Sequence, residues 1–77
     1  MTHVTIEYCV PCGLLSNAVE TQRTLLETHG QRLDGVTLDT GDGGVFEVRV
    51  DGATVYDKSE EGYDRDAIVE RVGDRLD

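Results

Sequence analysis

Val4, Ile6 and Tyr8 alternate with His3, Thr5 and Glu7 near the start of the chain. A period of two over six residues predicts a half-buried strand. From Leu14 to His29 the period lengthens to that of a helix, with Leu15, Ala18, Val19, Gln22, Leu25 and Leu26 along one stripe. Gly30 is placed to stop this helix as a C′ residue. Asp34-Gly35 then turns the chain into a short strand, Val36 to Asp39, with Val36 and Leu38 inward. Thr40 to Gly44 reads as a flexible glycine loop. Val45 to Val50 alternates again, with Phe46, Val48 and Val50 buried and Glu47 and Arg49 opposite. Asp51-Gly52 is a two-residue hairpin signal, because a type I′ turn needs positive φ at both positions. It leads into a strand over Ala53 to Asp57, where Ala53 would face Val50 and Val55 would face Val48. Lys58 to Tyr63 is expected to be a loop. A last helix should run from about Asp64, as N-cap, to Leu76, with Ile68, Val69, Val72 and Leu76 on its apolar face. Gly73 should weaken that helix by about 1 kcal/mol relative to alanine.

The predicted order is therefore β-α-β-β-β-α, an α/β fold. Each strand is apolar on one face only, which implies one four-stranded mixed sheet with both helices on the same side. The β-α-β unit should be right-handed with parallel strands, and the last two strands should form an antiparallel hairpin. Three segments then share one rim: Cys9–Gly13, Gly41–Gly44 and Lys58–Tyr63. This is the carboxyl end of the first two strands, the end at which α/β sheets favour their sites.

Composition narrows the class. A chain of 77 residues is expected to form one small domain over its whole length, near the lower limit for independent folding. No apolar run reaches a membrane span and no leader pattern is present, so a cytoplasmic protein is expected. Sixteen acidic residues stand against six arginines and one lysine, for a net charge of −9. That balance argues against nucleic acid as a partner, since phosphate binding needs clustered cations. Few lysines, many aspartates and eight threonines resemble proteins of salt-loving organisms, in which a Debye length of about 3 Å at molar salt screens self-repulsion. An acidic protein of ordinary salinity is the alternative.

Both cysteines and the only proline lie in Cys9-Val10-Pro11-Cys12, between the first strand and the first helix. A disulfide across so short a loop would stabilise the fold by only about 2 kcal/mol in the chain-entropy model, so stapling explains it poorly. Two thiols at a strand-to-helix junction can instead close and reopen a small disulfide, and unpaired helix N–H groups can stabilise a thiolate there. A thiol–disulfide oxidoreductase using Cys9 and Cys12 is the leading reading, with no cofactor required. Val10, Pro11, Gly13, Gly43, Gly44 and Tyr63 are the candidate substrate contacts on the rim. Tyr63 is alternatively the anchor of the last helix, which is the preferred view of it. Lys58 could add local positive charge, whereas His3 should lie at the opposite end as a surface residue and His29, at the C-terminal end of the first helix where positive charge is favoured, should also be remote. Two other classes remain open: a small copper or zinc carrier using the same pair, and an interaction module switched by the thiols. A zinc site would be two ligands short without a dimer.

Ile6-Glu7-Tyr8-Cys9-x-x-Cys12, Gly43-Gly44-Val45-Phe46-Glu47-Val48, the Asp51-Gly52 hairpin and Gly62-Tyr63 together resemble the selenoprotein W/T/H-like family, also called Rdx, over nearly the whole chain. The resemblance implies a thioredoxin-like fold and a redox role towards protein thiols or small thiols such as glutathione. Selenoprotein members carry selenocysteine where this chain has Cys12, which implies Cys12 as the attacking group. The logic of thioredoxin would assign attack to Cys9, and both assignments stay open at this level. The chain departs from thioredoxin in lacking a proline in Gly41–Gly44, and from many relatives in having Tyr63-Asp64 where they have Phe-Pro.

Overall fold

The computed structural model describes residues 2–76; the first and last residues of the expected domain lie outside them. β1 (His3–Cys9) occupies the interior of a four-stranded sheet of order β2-β1-β3-β4, completed by β2 (Gly35–Gly41), β3 (Phe46–Val50) and β4 (Ala53–Asp57). β1 pairs in parallel with β2, from His3 opposite Gly35 to Cys9 opposite Gly41. On its other side it pairs antiparallel with β3, from Val4 opposite Val50 to Tyr8 opposite Phe46. The strong alternation of β1 explains its interior place: Val4 and Ile6 are fully buried and Tyr8 nearly so.

Helices α1 (Leu15–His29) and α3 (Arg65–Asp74) cover one face. Ala18 and Leu25 of α1 and Ile68 and Val72 of α3 join Val4, Ile6, Phe46, Val48 and Tyr56 in a single core. The sheet's inward face and both helices thus bury one another, as the one-sided strands require. Asp64 caps α3 as expected, its side chain accepting from the Ala67 N–H. Asp51 and Gly52 have φ of 52° and 89°, the pair of positive values expected for the hairpin. Asp51 also ties this turn to β1, donating its backbone N–H to the His3 carbonyl and accepting the His3 N–H on its carboxylate.

Several local expectations need correction. The stripe of α1 is rotated: Leu15, Val19 and Leu26 are exposed, while Thr21 is fully buried beside Ala18 and Leu25. Thr21 meets the cost of burial by donating to the Asn17 carbonyl at 2.7 Å and bonding the Tyr63 hydroxyl at 2.9 Å. Gly30 does not adopt a left-handed cap, with φ of −18°; the helix tightens instead into a 3₁₀ turn over Gly30–Arg32. β2 continues through Thr40 and Gly41 rather than ending in a loop. The pairing of Val55 with Val48 is replaced by a bulge, with Val48 opposite Tyr56 and Arg49 opposite Thr54. The extra residue turns Tyr56 inward to near-complete burial, which is worth about 1.5–3 kcal/mol for a side chain of this kind. Lys58–Glu61 form a short helix, α2, capped by the Asp57 side chain.

On the sheet face away from the helices, the register sets Asp39, Glu7, Glu47 and Asp57 in one row across all four strands. Like charges directly opposite one another are destabilising. Arg49 offsets them by bonding both Glu7 and Glu47. Its guanidinium pKa is raised above the usual arginine value chiefly by the Glu7 hydrogen bond.

Candidate functional site

β1 delivers Cys9 to the rim and then turns sharply. The Cys9 N–H donates to the Val45 carbonyl at 2.8 Å and the Val10 N–H to the Gly41 carbonyl at 3.1 Å. The Gly13 N–H donates to the Val10 carbonyl and the Leu14 N–H to the Cys9 carbonyl, closing the turn that Gly13 permits with a φ of 77°. Cys9 and Cys12 form a disulfide with their Cα atoms 5.4 Å apart, within the ordinary range for such a bond.

The two sulfurs occupy opposite surroundings. Cys9 is fully buried, whereas Val10, Pro11, Cys12 and Gly13 are all exposed. α1 begins three residues after Cys12. Leu14 in the N-cap position offers no side-chain cap, and no acidic residue occupies the first turn. The first N–H groups of the helix therefore carry their partial positive charge towards the loop uncompensated by any carboxylate of that turn.

Gly43 and Gly44 hold φ of 70° and 81° in the turn between β2 and β3, whose ends grip Cys9 and Val10 through backbone bonds from Val45 and Gly41. Gly41 has a different reason to be glycine. A Cβ built there would lie 2.8 Å from a Val45 methyl and 3.0 Å from a Glu7 carboxylate oxygen. Tyr63 is half-buried, edge-on to Phe46 at 5.5 Å, with its hydroxyl bonded to Thr21; it packs as an anchor between α1 and the end of α2. Lys58 opens α2 beyond β4, one strand removed from β1. His3 is exposed, as expected, and bonds Thr37, whereas half-buried His29 donates to the Val69 carbonyl and so ties α1 to α3. A surface cleft of about 340 Å³ between α1 and α3, lined by Glu20, Tyr63, Asp64, Arg65 and Asp66, includes neither cysteine. Among the described residues no helix is long and apolar enough to cross a membrane.

Reasoning from sequence placed Gly41 on the rim only as part of a flexible loop and gave no role to the Val45 carbonyl, yet the Gly41 and Val45 carbonyls hold the cysteine loop against its neighbours. Their signal was the register of β1 with β2, which puts Gly41 directly opposite Cys9.

A chain of order β-α-β-β-β-α-α, with a disulfide joining the end of β1 to the loop before α1, has a thioredoxin-like fold. Comparison with known proteins is more specific: the model of the Rdx family matches residues 3–74, and the chain belongs to that family. A selenoprotein W-related protein from Vibrio cholerae superposes with a TM-score of 0.92 at 26% identity, over 99% of this chain and 98% of that one. A protein from Bordetella parapertussis superposes with a TM-score of 0.90 at 33% identity, over 96% of each chain. Among curated proteins, migration and invasion enhancer 1 of Mus musculus is 30% identical over 86% of this chain, and that of Bos taurus 30% over 84%. The chain spans 58% and 57% of the length of those two relatives. Family and paired cysteines together support a redox role in general terms.

Proposed function

We propose that this chain is a cytoplasmic thiol–disulfide redox protein in which Cys12 attacks and Cys9 resolves. The observation that carries the reading is the contrast in exposure, with Cys9 fully buried and Cys12 open to solvent beside the uncapped start of α1. Attack requires a thiolate that can meet its partner in line, and only Cys12 offers that access.

In the reduced protein the Cys12 thiolate attacks one sulfur of a substrate disulfide. A Cys12–substrate mixed disulfide forms, and the other substrate sulfur leaves as a thiolate. The Cys9 thiolate then attacks the Cys12 sulfur, forming the Cys9–Cys12 disulfide and releasing the second substrate thiol. Two electrons pass from the protein pair to the substrate, and a thiol reductant of the cell restores the pair. Protein thiols or small thiols of the glutathione type are the substrate class. Val10, Pro11 and Gly13 flank Cys12 in the chain, and the exposed turn of Gly43 and Gly44, tied to Cys9 and Val10 through Val45 and Gly41, would offer backbone to a substrate. Zinc carriage by one copy fits less well, since a tetrahedral site needs further ligands and among the described residues no group of three or more His, Cys, Asp or Glu could hold a metal ion. The acidic surface suits a cytoplasm rich in salt.

Single-cysteine variants test the assignment. With a small aromatic disulfide as probe, Cys9→Ser should retain a rapidly reacting thiol, and Cys12→Ser should react at least tenfold more slowly. Equal rates, or a faster Cys12→Ser protein, would reverse the roles. Failure of the wild type to form an intramolecular disulfide on oxidation would end the redox reading.

A further inference from the structure

The exposed large apolar residues Val10, Leu15, Val19 and Leu26, 43–51% exposed, all lie on the CxxC loop or on α1. Scattered surface apolar residues need no explanation, but a contiguous set does. At 3.6 residues per turn, Leu15, Val19 and Leu26 share a stripe with Gln22. Gln22 locates that stripe, since its amide donates to the Val36 carbonyl at 2.8 Å. α3 packs on the other side of α1, where Arg65 meets Glu20 and Tyr63 meets Thr21. The stripe therefore overhangs β2, which is an edge strand.

The edge itself is open. The Val10 N–H bonds the Gly41 carbonyl, so residues 35, 37, 39 and 41 turn their backbone groups towards β1 while 36, 38 and 40 turn theirs outward. Gln22 occupies the Val36 carbonyl. The outward groups of Leu38 and Thr40 have no backbone partner among the described residues. A row of this kind is a template for an added strand. The stripe from Leu15 to Leu26 is about 16 Å long, the length of five extended residues. Its upper end adjoins Val10 and the exposed Cys12.

We propose that β2 and this stripe dock an extended segment of a substrate protein as an additional strand, presenting its cysteine to Cys12. The inference deepens the redox reading above and rests on it for the chemistry, but not for the docking. A strand laid on β2 directs alternate side chains to opposite faces. One set meets Leu15, Val19 and Leu26 and should be apolar. The other lies beside Thr37 and Asp39, at the end of the row of carboxylates, and should be basic. A second copy of this chain, itself at −9, would oppose that charge; a cationic segment complements it.

Two nine-residue peptides of identical composition provide the probe. One alternates valine and lysine and the other groups them in blocks, and each has a cysteine at one end carrying thionitrobenzoate in a disulfide. Cys12 would attack the peptide sulfur and expel the coloured thiolate, and Cys9 would then displace the peptide thiol. Rates are divided by that of the same protein with the small aromatic disulfide. The alternating peptide should react at least tenfold faster than the block peptide. That preference should fall towards unity in Val19→Ser/Leu26→Ser and in Thr40→Pro, which removes an outward N–H while leaving the pairing with β1 intact. Binding of cysteine-to-serine versions of the peptides to the oxidised protein, followed by fluorescence anisotropy, should show the same preference and the same losses. Equal binding of the two peptides, or a preference that survives both variants, would overturn the docking proposal even if the thiols react as described. Dimerisation that is abolished by Val19→Ser/Leu26→Ser would instead make the occupant a second copy and overturn it as well. Loss of thiol chemistry with peptide binding intact would strike the redox reading and leave the docking surface standing.

Discussion

Replacing Gly41 with alanine adds one methyl group at the end of β2, directly opposite Cys9. The new Cβ would stand 2.8 Å from a Val45 methyl, 3.0 Å from a Glu7 carboxylate oxygen and 3.2 Å from the Glu7 Cγ. Ordinary carbon contacts lie near 3.5–4.0 Å, so the closest overlap is on the order of 1 Å. Glu7 can swing aside only by loosening its bond to Arg49. Val45 must turn its side chain out of its present rotamer or move the carbonyl that accepts the Cys9 N–H. Overpacking of this kind costs about 1–3 kcal/mol, while exchanging glycine for alanine within a strand returns roughly 0.5–1 kcal/mol. Taking the middle of each range, the net expectation is a loss of roughly 1 kcal/mol, a fall in Tm of roughly 4–8 °C for a domain this small. Thermal unfolding of the oxidised protein by circular dichroism measures it. Adding Val45→Ala in the Gly41→Ala background should recover part of the loss, because it removes the nearest methyl. A Gly41→Ala protein as stable as the wild type would refute the steric argument.

Arg49→Gln should leave Asp39, Glu7, Glu47 and Asp57 as an unrelieved row and cost about 1–2 kcal/mol at low salt. In molar salt the deficit should shrink to a fraction of that value, and urea midpoints at the two ionic strengths would show whether it does. Gly73→Ala sets two effects against each other. Alanine gains about 1 kcal/mol of helix propensity, but its Cβ would sit 3.0 Å from the His29 ring, which donates to the Val69 carbonyl. Losing that bond costs about as much, so the variant should be near neutral alone and stabilising in a His29→Ala background. A gain of the full propensity in both backgrounds would show that the ring yields freely.

The one-sided alternation of β1 and β3 made the single sheet, its order of elements and the place of the cysteines legible from sequence, because a period of two translates directly into faces. The helix stripe was less secure. Leu15, Ala18, Val19, Leu25 and Leu26 cover too wide an arc for all to face the core, and burial of Thr21 through two hydrogen bonds selected one half of it. Tyr56 escaped notice because a one-residue bulge reverses the faces of a strand, and nothing local announces a bulge. The glycines illustrate the same limit. Asp51-Gly52 and Gly43-Gly44 are recognisable as turn residues from their neighbours, whereas Gly41 is glycine because of the side chains of Glu7 on β1 and Val45 just before β3. The exposure of Cys12 and the burial of Cys9 likewise depend on tertiary neighbours, so sequence could nominate the pair without ranking its members.

The reduction potential of the Cys9–Cys12 couple, measured by equilibrating the wild-type protein in glutathione buffers and quantifying the trapped thiols, tests the redox reading most directly. An accessible couple that cycles should lie between about −180 and −270 mV, within reach of cellular dithiols. A value below about −300 mV, where structural disulfides sit, or a pair that stays reduced at every poise, would contradict it.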